Sequence, residues 1–68
     1  MANVDDTARV LRVLGWSAGE LAWHAGQQIV WQVFATRGND RIVTRAPSQS
    51  EAWLAASRQA QALATLSP

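Results

Sequence analysis

Residues 30–53 read VWQVFATRGNDRIVTRAPSQSEAW, and the change of period inside this stretch decides the fold. Residues 29–36 alternate around β-branched and aromatic side chains, the period-2 pattern of a strand. RGND follows, and Gly38 and Asn39 both tolerate the positive φ of a tight turn. RIVTRA, residues 41–46, reads as a second strand. If the hairpin closes symmetrically over Gly38 and Asn39, Ala35 lies opposite Ile42 and Val33 opposite Thr44. One face then carries Trp31, Val33, Ala35, Ile42 and Thr44, and is the better core. The other carries Val30, Gln32, Phe34, Thr36, Arg41, Val43 and Arg45.

Pro47 ends the strand, because it has no N–H to give to a ladder. Ser48 and Glu51 then form the S-x-x-E capping box that opens a helix. The period becomes 3.6 over residues 49–64. At 100° per residue, Ala52, Trp53, Ala56, Ala60 and Leu63 share one stripe, while Glu51, Ser57, Arg58, Gln61 and Thr65 point away. A stripe of alanines lets a helix lie close to a sheet, with Trp53 as its one large anchor.

Upstream, residues 16–25 allow two readings. Ser17 and Glu20 match a capping box and Gly26 could close a short helix. Gly19 inside the first turns speaks against that. The other reading is a strand, WSAGELAW, turning at HAGQ, with Gly26 suited to a hairpin. The strand is preferred. Further upstream, Asp5, Asp6 and Thr7 suit a helix start. Residues 8–14 put Val10, Leu11 and Leu14 on one side, with Val13 beside them and Arg9 and Arg12 on the other flank. Gly15 is a natural stop. The expected fold is therefore one α+β domain over residues 1–68: a small antiparallel sheet, a three-stranded meander or a two-stranded hairpin, with a short N-terminal helix and a longer C-terminal helix on one face. The order is αβββα or ααββα.

Composition narrows the rest. A chain of 68 residues buries only about 60% of the surface its unfolded form exposes. Domains of this size need staples, self-association or very good packing. The chain has no cysteine and one histidine, which excludes disulfides and thiolate or histidine-rich metal sites. Packing or self-association is left, and the four tryptophans supply area for it. All six cations are arginine, and the net charge is only +1, a usage that a high-GC bacterial genome would also produce. No like-charge block or internal repeat occurs. Asp5 and Asp6 stand where a signal peptide would carry positive charge, and no apolar run approaches the ~18 residues of a membrane span. A soluble cytoplasmic protein is expected.

Candidate chemistry is sparse. His24 is the one possible general base, and no motif sets a serine or aspartate beside it. It reads as a turn or surface residue. Asp5 and Asp6 start a helix, Asp40 closes a turn and Glu51 completes a cap. Glu20 is either a cap partner or a strand residue. No phosphate-binding glycine motif appears. The expectation is a non-enzymatic module, without cofactor, metal or small-molecule ligand.

Interest falls on the sheet face that the helices leave open. It shows Val30, Phe34 and Val43 flanked by Arg41 and Arg45, with Trp23 joining if residues 16–25 form a strand. An apolar patch of this kind marks an interaction surface, and a homodimer or other protein partner is expected on it. The alternative partner is nucleic acid, using arginines 37, 41 and 45 for phosphate and Phe34 and Trp23 for stacking. In element order the chain resembles the double-stranded RNA-binding domain over nearly its whole length. That family holds phosphates with lysines at the start of its last helix. Here that turn is SQSEAW, with Glu51 where a cation would be needed.

Overall fold

The structure, a computed structural model, describes residues 4–66. The elements run α1 (Val4–Val13), β1 (Ser17–Ala25), β2 (Gln28–Arg37), β3 (Asp40–Ala46) and α2 (Gln49–Leu66). The order is αβββα, and residues 17–25 form a strand. The three strands make an antiparallel meander in the order β1-β2-β3. Both hairpins turn on two residues, and in each the first is a glycine at positive φ: Gly26 at 65° and Gly38 at 58°. Asn39 does not take a positive φ, so the turn rests on Gly38 alone. A glycine at the first central position suits the right-handed twist of the flanking strands. The first turn is tighter than HAGQ, and β1 runs on through His24 and Ala25.

The register follows the alternation. Ala35 pairs with Ile42 and Val33 with Thr44. Their shared face is buried, with Val33, Ala35 and Ile42 at 1% exposure or less. α2 lies over β2 and β3 on this face, and α1 packs against α2 and β1. Ala52, Ala56 and Ala60 are fully buried, so the α2 backbone comes close enough for Thr44 Oγ1 to donate to the Ala52 carbonyl at 2.8 Å. Ser48 starts α2, its Oγ accepting from the Glu51 N–H at 3.3 Å.

α1 ends in a Schellman motif. The Trp16 N–H bonds the Leu11 carbonyl, the Gly15 N–H bonds the Arg12 carbonyl, and Gly15 has φ 90°. Leu11 and Trp16 are both buried in the core, which supplies the apolar contact this motif favours. Arg37 then ties the end of β2 to the same corner. It donates to the Leu14 carbonyl at 3.1 Å, stacks 4.8 Å from the Trp16 ring and pairs with Asp40 at 3.5 Å.

Two helix positions differ from the expectation. Val13 is 78% exposed, because at 100° per residue it lies about 200° round α1 from the buried Leu11. Ser57 is buried, because α1 docks beside α2 and covers a second flank of it. Its hydroxyl turns back onto the Leu54 carbonyl at 2.8 Å.

Candidate functional surface

Among the described residues there is no pocket and no cluster of three or more His, Cys, Asp or Glu side chains. The search for a site moves to the surface. The largest feature is the sheet face away from the helices.

The register places Phe34 opposite Gly19 and Val43, Gln32 opposite Leu21 and Arg45, and Val30 opposite Trp23. Thr36, Ser17 and Arg41 form the row at the far end. All of these alternate with core residues, so they share the uncovered side. Leu21, Trp23, Phe34 and Val43 are each 38–46% exposed, and Val30 is half-buried. The six residues expected on this face, Trp23, Val30, Phe34, Arg41, Val43 and Arg45, are therefore brought together. Leu21 belongs with them as soon as β1 is read as a strand.

Phe34 sits low on the sheet. A Cβ on Gly19 would stand 2.8 Å from Phe34 Cζ, so the ring occupies the space that any other residue at 19 would fill. Arg45 is also placed. Its Nε donates to Gln32 Oε1 at 2.8 Å, and its guanidinium is 5.9 Å from the Trp23 ring, within the reach of a cation–π contact. The arginine stem thus crosses from β3 toward β1 and roofs part of the patch.

The charges are segregated. Asp5, Asp6 and Glu51 lie on the helices, and Asp40 is paired with Arg37 at the turn. Glu20 alternates onto the helix side of β1. There it accepts from Gln49 Nε2 at 2.9 Å on each carboxylate oxygen and from Trp53 Nε1 at 3.3 Å. This settles the role of Glu20, which anchors the start of α2 to β1. Among the described residues no acid is left on the open face, which carries Arg41 and Arg45. Arg37 is committed to the α1 corner and does not join them. His24 is exposed on the helix side of β1, near the turn. Three tryptophans pack on or in the core, and Trp23 is the one that faces out.

None of the described helices is long and apolar enough to cross a membrane. No protein-family model, curated protein or solved structure matches this chain. The αβββα order expected from the sequence is present, while the first turn of α2 offers Gln49, Ser50 and Glu51 and no cation.

Proposed function

We propose that this protein is a non-enzymatic, cytoplasmic interaction module that self-associates through its open sheet face. The observation that carries the reading is the continuous apolar band of Leu21, Trp23, Val30, Phe34 and Val43, which no element among the described residues covers. The core beneath it is thin. Four of its nine buried apolar residues are alanines, and its largest fully buried side chains are Leu11, Ile42 and Val33. Covering the band would add apolar burial worth about 25 cal/mol per Å² to a domain that has little in reserve.

Face-to-face pairing also suits the charges if the two-fold axis runs parallel to the strands. β3 of one copy then faces β1 of the other, and Arg45 falls over the partner's Leu21 and Trp23 rather than over another arginine. An axis across the strands through the Phe34–Val43 row would set Arg45 against the partner's Arg41. Solution mass tests the reading, measured by light scattering on a sizing column at low and high salt. A dimer that survives high salt is expected, since apolar contact is not screened. Phe34→Glu should abolish association through this face with an unchanged helical circular-dichroism signal. Persistence of the same dimer in that variant would remove this face from consideration.

The absence of acids on the face supports a second reading, in which it binds a nucleic-acid strand. Arg41 and Arg45 would meet phosphates, and Trp23 and Phe34 would stack on bases. Oligonucleotide affinity should then fall steeply with salt and be lost when Arg41→Ala and Arg45→Ala are combined. No binding to duplex or single strands at low salt would end this reading.

A further inference from the structure

The sheet has two outer strands, and they are not protected alike. Exposed edges present unpaired backbone groups to any other strand, and proteins guard them with charge, proline, bulges or short length. β3 has such guards. It is seven residues long, carries Asp40, Arg41 and Arg45, and is followed at once by Pro47. β1 has neither proline nor bulge. It is nine residues long and pairs with β2 at every residue from Ser17 to Ala25 without a bulge. Its single charge, Glu20, is turned to the helix side and held by Gln49 and Trp53. From Leu21 to Thr36 the chain has no Asp, Glu, Lys or Arg.

The far half of β1 is also poorly supported. β3 pairs with β2 only as far as Trp31. The pairs Trp23–Val30, His24–Ile29 and Ala25–Gln28 continue beyond it as a two-stranded ribbon, about 10 Å long at 3.4 Å per residue. Every residue from Glu20 to Ile29 is exposed. The ribbon has Trp23 on one side and Ile29, 43% exposed, on the other. Two-stranded ribbons are marginal in water, so this one stands to gain from a neighbour.

We propose that the outer edge of β1 is a pairing edge and that a second copy of the chain occupies it, β1 against β1, antiparallel, in one six-stranded sheet. The sequence of β1 fits itself. Its midpoint is Leu21, and a two-fold axis there pairs all nine residues. Glu20 lies opposite the partner's Ala22, Gly19 opposite the partner's Trp23, Ala18 opposite the partner's His24 and Ser17 opposite the partner's Ala25. The bulky Trp23 and His24 each meet a small residue, and no like charges are directly opposed. A two-fold contact of one edge with itself closes, whereas β1 against β3 would grow into a filament. This edge is distinct from the sheet face and stands whether or not the face also pairs.

The absence of cysteine gives a clean test. Residues directly opposite in antiparallel strands have Cα atoms about 4.5–5.5 Å apart, which a disulfide can bridge. Leu21→Cys should oxidise to a covalent dimer in the full chain, and should do so equally when combined with Phe34→Glu. Val43→Cys, on the opposite edge strand, should not. A folded Leu21→Cys, Phe34→Glu protein that stays monomeric under oxidant overturns the edge proposal. Cross-linking that requires Phe34 also overturns it, and supports the sheet face instead. Should Leu21 prove necessary for folding, Ala22 replaces it, because the pairing sets residue 22 against the partner's Glu20. In sedimentation equilibrium Ala22→Glu should weaken the dimer roughly threefold to tenfold and Ala22→Lys should strengthen it. Equal effects of the two charges would overturn the register.

Discussion

Ile42 and Val43 are neighbours on β3, yet one is 1% exposed and the other 46%. The same contrast runs along the whole sheet. On the covered face, Val33, Ala35 and Ile42 meet the alanine stripe of α2, and the one hydroxyl among them, on Thr44, is bonded to a helix carbonyl. On the open face, Leu21, Trp23, Phe34 and Val43 are larger on average and rest on the sheet, Phe34 on Gly19 and Trp23 beside the Arg45 guanidinium, each still 38–46% exposed. Small residues on the covered side allow the helix to approach closely, and that closeness excludes water from the layer. Large residues on the open side contribute less to folding than their size would suggest, since they remain partly wet. Apolar area that the fold does not use is the area available for a partner.

The contrast can be tested on those two neighbours. Ile42→Ala should cost about 2–5 kcal/mol, by lost transfer free energy and by the cavity left under α2. That is a large share of the stability of a domain this size. Val43→Ala should cost less than about 1 kcal/mol, because nearly half of the side chain is already in water. Urea unfolding at matched, low protein concentration gives both values without a contribution from association. Similar costs at the two positions would mean that the open face is covered within the monomer.

Much of this arrangement is legible in the chain because local rules agree. Period-2 alternation, a glycine at each turn, Pro47 and the Ser48 cap all act over a few residues, and together they fix β2, β3, α2 and the face that α2 buries. The six open-face residues follow from the same parity. What the sequence leaves hidden depends on neighbours distant along the chain. Ser57 reads as solvent-facing on a wheel and is buried because α1 lies beside it. Val13 is exposed for a local reason, lying about 200° round α1 from the buried Leu11. Glu20 fits a helix cap as well as a strand, and only the docking of Gln49 and Trp53 onto β1 gives it a role. Arg37 belongs to the arginine series in sequence, and its position one residue past the open-face Thr36 turns it to the α1 corner.

The smallest expected effect probes the open face at its tightest contact. Gly19 is in mid-strand, where glycine costs roughly 0.5–1 kcal/mol relative to alanine through backbone entropy. Gly19→Ala would recover that, but the added Cβ would stand 2.8 Å from Phe34 Cζ. The ring, 40% exposed, has room to swing outward and would lose its packing on the sheet. The two effects nearly cancel, so Gly19→Ala alone should change stability little or lower it slightly. In a Phe34→Ala background the obstacle is gone, and the same substitution should stabilise by about 0.5–1 kcal/mol. The coupling in this cycle measures the clash between the added Cβ and the ring, which exists only when the alanine at position 19 and Phe34 are both present. If Gly19→Ala has the same effect in both backgrounds, Phe34 does not lie on Gly19 and the open face is looser than the register implies. If the coupling is present, the aromatic centre of the face is held in place before any partner arrives, and binding there pays less of the entropy of ordering that side chain.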